Sequence, residues 1–211
     1  MNLENKKQLA YMIQIIGCIL YIILIFIAIA FYTGIYDFWG NALSALGSSV
    51  SNTGSNNTIS MVIFTIATTT FGLTFFPLFL SLPSLFTETR KVKNLSLIGS
   101  TFGVIGGICL IGIAFTPSNL LYEPHIIFVY IGYLSISLIG IFYSTALYLN
   151  EDFSNIYTIT CVLFTIVWEI CIIIMLFSSD SWIAQKIGRF TTVGALIILG
   201  YGALIIEQNS K

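Results

Sequence analysis

The side chain that most requires a chemical explanation is Glu169, which lies inside the apolar run Val167 to Ile173. A carboxylate at the centre of a membrane helix costs about 2.5–3.5 kcal/mol unless it is paired, protonated or hydrated. Arg189 lies in the following apolar run at nearly the same depth, so it is the natural partner of Glu169. The two residues predict either a buried ion pair that fixes the packing of two helices or a polar cavity that opens outward.

Further polar residues belong near the same outer end of these helices. Asn41 and Ser44 follow the first apolar run, and His125, the one histidine, opens the fourth. Histidine and carboxylate groups are the usual general bases, and a serine hydroxyl is a common nucleophile. The candidate catalytic residues are therefore His125, Glu169 and Ser44. The candidate ligand-binding residues are Asn41, Ser44, His125, Glu169 and Arg189.

The sequence predicts no metal site and no cofactor. Cys18, Cys109, Cys161 and Cys171 all lie inside apolar runs, and no two of them form a CxxC pair. A single histidine cannot complete a zinc site of ordinary composition. No lysine lies deep inside an apolar run, which disfavours a retinal Schiff base.

The elements that must position these residues follow from composition. Charged side chains make up 8% of the chain and hydrophobic residues 57%, whereas a soluble domain carries about 25% charge. So few charges cannot cover a surface that faces water, which excludes a soluble enzyme, a nucleic-acid-binding protein and a disordered regulator. The composition predicts an integral membrane protein.

Six apolar runs are long enough to cross a bilayer, which takes about 20 residues each. They cover residues 11–31, 59–80, 95–115, 126–149, 156–177 and 182–206. Hydrocarbon offers no partner for a free backbone group, so the runs must be helices. The prediction is an all-α bundle of six transmembrane helices, formed by residues 1–211 as a single transmembrane domain.

The positions of Lys and Arg predict that both termini are cytoplasmic. Positive side chains collect on the cytoplasmic side of membrane proteins. The six that fit this rule are Lys6, Lys7, Arg90, Lys91, Lys93 and Lys211. Lys186 and Arg189 are exceptions. They lie near the start of the last span rather than in a loop, so they count less against this orientation. The membrane is predicted to be the plasma membrane.

Two local patterns concern packing. Gly99, Gly103 and Gly107 recur every four residues and line one helix face, which favours close approach of a neighbouring helix in the same chain or a homodimer through that face. Between residues 37 and 47 the apolar residues follow helical spacing. That segment is predicted to be a short amphipathic helix on the membrane interface.

Three segments carry a resemblance to a known family. Asn41 to Gly47 (NALSALG) resembles the N-x-(L/I)-S-x-L-G stretch after the first span of the six-span membrane family called domain of unknown function 998. His125 is similar to that family's lone histidine, and Gln185 to Arg189 (QKIGR) to the basic segment that opens its last span, while Ala45 stands where the family often has an acidic residue. The resemblance implies six helices and no established activity. More distantly, the layout is similar to the Frag1/DRAM/Sfk1 six-span proteins, which are associated with lipid handling.

Three classes of function remain open on the sequence. The favoured one is a non-enzymatic membrane protein that binds a lipid headgroup or a small amphiphile in an outward-facing polar pocket. The second is a membrane-embedded hydrolase or transferase that acts on a lipid, although no nucleophile elbow or HExxH motif is present. The third is a proton-coupled carrier that uses Glu169, although no repeat relates the two halves of the chain. Membrane lipid and a small amphiphile are the expected partners, and nucleic acid is not.

Overall fold

The computed structural model describes residues 3–178 and 181–209, and its secondary structure in this part of the chain is helical apart from one isolated β-bridge. The long helices are α1 (Leu3–Ala30), α2 (Thr58–Ser81), α3 (Arg90–Phe115), α4 (Tyr122–Tyr148), α5 (Asn155–Phe177) and α6 (Trp182–Asn209). Two short 3₁₀ turns cover Leu43–Gly47 and Leu82–Leu85. All six long helices are long and apolar enough to cross a membrane. The prediction of six helices of membrane-spanning length and composition is confirmed in the described residues.

The helices form a closed ring in chain order. Each long helix packs against the next one along the chain, and α6 packs against α1. Neighbouring helices are antiparallel, as the hydrogen bond from Tyr11 near the start of α1 to Ser81 at the end of α2 shows, so the ring has two distinct ends. We call the end with residues 31–57 and 116–121 the His125 end, and the end with residues 82–89 and 149–154 the terminal end. The first residues of α1 and the last residues of α6 lie together at the terminal end, where Lys7 pairs with Glu207 at 3.4 Å.

Aromatic side chains fill the centre of the ring. Phe71, Phe75 and Phe79 are four residues apart on α2, so they share one face and contact one another in sequence, with ring centroids 5.1 and 5.5 Å apart. Tyr21 stacks on Phe71 at 4.6 Å, and Phe79 contacts Tyr143 at 6.0 Å. We call the following buried residues the aromatic column: Tyr21, Phe71, Phe75, Phe79, Tyr143, Phe86 and Phe153.

The glycine face of α3 packs inside this same chain. Gly103 lies against the ring of Phe79, and a Cβ atom on Gly107 would come within 2.8 Å of the backbone oxygen of Gly72. Gly99 lies against Tyr143. The three glycines are buried, so α2 and α4 already occupy the face that the sequence also offered to a homodimer.

The segment after α1 does not form the predicted amphipathic helix. Only Leu43–Gly47 is helical, as a single 3₁₀ turn, and Leu43 and Leu46 are buried. The side-chain amide of Asn57 holds this turn in place by donating to the backbone oxygens of Leu46 and Ser48. Because its apolar residues insert between the helix ends, the turn closes the His125 end of the bundle instead of lying along the interface.

Candidate functional site

A cavity of about 470 Å³ lies at the His125 end, between the Leu43–Gly47 turn, the start of α4 and the facing ends of α5 and α6. We call it the His125 cavity. Its polar lining residues include Ser44, Ser48, Ser118, Asn119, His125 and Gln185. Its apolar and aromatic lining residues include Ile126, Val129, Met175, Tyr122, Tyr130, Tyr133 and Trp182. None of the described residues in the lining is Asp, Glu, Lys or Arg, so the cavity offers hydrogen bonds without a formal charge.

His125 is held in one tautomer by the connection between α3 and α4. The imidazole is buried, and its Nδ1 lies 2.6 Å from the backbone oxygen of Thr116. A carbonyl oxygen can only accept, so Nδ1 carries the proton and Nε2 of the neutral ring is an acceptor. Within the described part of the chain Nε2 has no hydrogen-bond partner. The ring therefore brings an unprotonated nitrogen to the cavity.

Ser44 reaches the cavity because α6 fixes the turn that carries it. The side-chain oxygen of Gln185 accepts a hydrogen bond from the backbone N–H of Leu43 at 2.7 Å. The amide nitrogen of Gln185 donates to the hydroxyl of Tyr133 on α4 at 3.2 Å. One side chain of α6 thus positions two walls of the cavity. Ser44 and His125 line the same space, but among the described residues no hydrogen bond joins them.

Asn41 holds the loop and does not line the His125 cavity. Its backbone oxygen accepts a hydrogen bond from Nζ of Lys186, which is almost completely buried on α6. The same ammonium group lies over the rings of Tyr36 and Phe38, 5.9 and 5.2 Å from their centroids. Cation–π contacts of this kind stabilise a buried ammonium group. Lys186 is thereby an anchor for the segment that precedes the 3₁₀ turn.

The expected ion pair between Glu169 and Arg189 is not formed. Among the described residues the ion pair present is Lys7 with Glu207, and one buried atom each of Glu169 and Arg189 lacks a hydrogen-bond partner. The contact between α5 and α6 at this depth is made by the neighbouring residues, because the ring of Trp168 packs against Gly188. Glu169 and Arg189 line two different cavities that share the side chain of Tyr133. The prediction of a direct pair is therefore wrong, and the two groups border separate spaces on either side of their shared lining residue, Tyr133.

Glu169 lies in a groove of about 390 Å³ between α4 and α5. The groove is mainly apolar, and its α4 wall includes Leu134, Leu138 and Ile141. It shares three residues with the His125 cavity, namely Tyr130, Tyr133 and Met175. The groove therefore adjoins the cavity and extends from it along α4 and α5 toward the mid-length of these helices.

Of the five predicted ligand-binding residues, Ser44 and His125 share one cavity, whereas Asn41, Glu169 and Arg189 lie outside it. Sequence reasoning missed Tyr133 and did not assign a role to Gln185. A signal for Tyr133 was present, since His125, Tyr133 and Ser137 are spaced by eight and four residues and so lie on one helix face. In the described residues no three His, Cys, Asp or Glu side chains cluster as a metal site would require.

Comparison of the chain with protein-family models, with curated proteins and with solved structures finds no match. The resemblance to the domain of unknown function 998 stays a prediction, and the function must be argued from the site.

Proposed function

We propose that this protein binds a lipid headgroup or a small amphiphile in the His125 cavity, with the apolar chain in the groove between α4 and α5. The observation that carries the proposal is the shared lining of the two spaces, because Tyr130, Tyr133 and Met175 border both. Binding sites for small molecules are largely apolar with a few convergent polar groups that fix orientation. A polar cavity continued by an apolar groove fits a molecule with one polar and one apolar end.

The dimensions of the groove support an extended hydrocarbon chain. Its α4 wall runs from Tyr130 to Ile141, which at 1.5 Å per residue is about 16 Å of helix. The exposed side chains of Leu134 and Ile141 place the groove on the outer surface of the ring, where lipid chains would surround it. An amphiphile would then enter sideways from the membrane.

The orientation that we propose places the His125 cavity outside the cell and both termini in the cytoplasm of a plasma-membrane protein. Exposed cations support it, since Lys6, Arg90, Lys91 and Lys93 all lie at the terminal end. The two exceptions to the rule, Lys186 and Arg189, are buried in the bundle. Loop cations decide orientation in the positive-inside rule, so buried ones carry no weight against it.

Native mass spectrometry of the protein in mild detergent tests the binding proposal. We expect a lipid or amphiphile to be retained in stoichiometric amount, and Ala45→Trp to remove it by filling the cavity, which Ala45 lines. Ser84→Trp is the control, because Ser84 is exposed at the terminal end. Equal retention in both variants, or no binding of any added lipid to the wild type, would contradict the proposal.

A second candidate is a membrane-embedded hydrolase or transferase, and the tautomer of His125 favours it. A neutral imidazole with Nδ1–H fixed by a carbonyl oxygen has Nε2 free to accept a proton from a hydroxyl or from water. Ser44 lines the same cavity. Release of a free headgroup or fatty acid from lipids supplied to the purified protein would identify this activity.

A further inference from the structure

Arg189 has no counterion among the residues that the structure describes. Its side chain is 8% exposed, and its Nη1 is buried without a partner. Within the described part of the chain it makes no hydrogen bond and no ion pair. A guanidinium group stays protonated at every physiological pH, so burial cannot be relieved by loss of a proton. An uncompensated buried charge is strongly unfavourable, and an anion from outside the chain is the partner that would relieve it.

Near Arg189 there are also two hydroxyl groups whose protons have no acceptor among the described residues. Arg189 lines a small chamber of about 20 Å³ together with Thr68 and Tyr133. The hydroxyl of Thr68 is buried and has no hydrogen-bond partner among the described residues. The hydroxyl oxygen of Tyr133 already accepts a hydrogen bond from Gln185, so its own proton is free to be donated. Three donors therefore face a space that holds about one oxygen atom, since a water molecule needs roughly 10–15 Å³ by this measure.

The chamber lies directly behind the His125 cavity. The two spaces share Ser44, Val129, Tyr133 and Gln185. The described residues of the larger cavity carry no formal charge, and Arg189 is the cation that lines the adjoining chamber. A phosphate or carboxylate bound in the cavity can place one oxygen in the chamber while the rest of the group stays in the larger space.

We propose that the Arg189 chamber is the anion subsite of the His125 cavity and binds one oxygen of a phosphate or carboxylate headgroup. This inference rests on the proposed function and names the class of ligand, an anionic amphiphile. Guanidinium groups bind such oxygens by charge-assisted hydrogen bonds, which are about twice as strong as those between neutral groups. A single water in the chamber would satisfy the hydroxyls but would leave the charge uncompensated.

The test compares dodecyl phosphate with dodecanol, which have the same chain, on the wild-type protein in phosphatidylcholine nanodiscs. We expect dodecyl phosphate to bind about tenfold more tightly. In Arg189→Met this preference falls to about one while dodecanol affinity is retained, since the uncharged side chain still fills the space. Lys91→Met is the control, because it removes an exposed cation at the terminal end and should leave the preference unchanged.

Inorganic phosphate separates the two sources of the anion. Thermal stabilisation by inorganic phosphate that disappears in Arg189→Met supports a subsite that accepts free anions, and stabilisation by dodecyl phosphate alone supports a lipid headgroup. Equal affinity of the wild type for dodecyl phosphate and dodecanol overturns the anion subsite but leaves the proposed function standing. Binding of neither probe overturns both. If Arg189→Met does not fold, the ratio of dodecyl phosphate affinity to dodecanol affinity in the wild type still decides. Arg189→Lys should then retain a reduced preference for dodecyl phosphate.

Discussion

At the scale of single residues, His125 has a structural role and a chemical role, and two substitutions separate them. Its Nδ1–H ties the start of α4 to the end of α3 through Thr116, and its Nε2 is the nitrogen available for chemistry. Asparagine places an N–H near the position of Nδ1, and glutamine places its amide near that of Nε2. We expect His125→Asn to keep the melting temperature within a few degrees of the wild type and His125→Gln to lower it.

The same variants discriminate between the binding protein and the enzyme. If the protein only binds an amphiphile, His125→Asn should retain most of the bound ligand in native mass spectrometry. If the protein is a hydrolase or transferase, His125→Asn should reduce product release by about 100-fold or more while the fold is kept. Loss of the fold in His125→Asn would contradict the separation of roles.

The ion pair of Lys7 with Glu207 permits a second prediction at this scale. The Glu207 side chain is 4% exposed and that of Lys7 is 22% exposed. Lys7→Met should lower the free energy of unfolding by about 1–3 kcal/mol, because it removes the cation that lies 3.4 Å from the buried carboxylate of Glu207. Thermal melting in detergent measures the effect, with the exposed neighbour Lys6 as the control in Lys6→Met. The double variant Lys7→Met/Glu207→Gln should recover most of the loss, and failure to recover would contradict the assigned pair.

The sequence predicts how deep in the membrane the site residues lie, but it does not predict which way their side chains point. Counting residues along α5 and α6 placed Glu169 and Arg189 at one level, and both do line cavities bordered by Tyr133. The rotation of each helix about its own axis decides which side chains face each other, and packing of Trp168 on Gly188 sets that rotation. Such long-range packing leaves no mark in the spacing of either helix alone.

At the scale of elements, the contact between α2 and α3 depends on two glycines. A Cβ atom on Gly107 would lie 2.8 Å from the backbone oxygen of Gly72, whereas one on Gly194 would meet nothing within 4 Å. Backbone cannot move aside cheaply, so Gly107→Ala should destabilise the protein by about 1–3 kcal/mol. Gly194→Ala should be neutral or stabilising by up to about 1 kcal/mol, because alanine is the better helix former. Melting temperatures of the two variants test this contrast, and equal melting would contradict it.

The long helices were predictable because each must cover the thickness of a bilayer with apolar residues. Observed bounds such as Thr58–Ser81 and Asn155–Phe177 lie close to the predicted 59–80 and 156–177. The segment 37–47 was not predictable in this way. The apolar residues of this segment do follow helical spacing, but only Leu43–Gly47 forms a turn. The reason is that Lys186 and Gln185 on α6 bind the backbone at Asn41 and Leu43.

At the scale of the whole molecule, orientation is open to a direct test because the four native cysteines are buried. Ser55 is exposed at the His125 end and Ser84 at the terminal end. We expect Ser55→Cys to react with a membrane-impermeant maleimide on intact cells, and Ser84→Cys to react only after the cells are opened. The reverse pattern would place the His125 cavity in the cytoplasm and contradict the proposed orientation.

The aromatic column also determines how an ion would be solvated at the centre of the bundle. It extends from Tyr21, which borders the Arg189 chamber, to Phe153 at the terminal end, with successive ring centroids 4.6–6.0 Å apart. Apolar rings in contact offer a hydrated ion nothing to replace its water shell. An ion that moved from the Arg189 chamber toward the terminal end along this column would therefore lose its hydration without replacement.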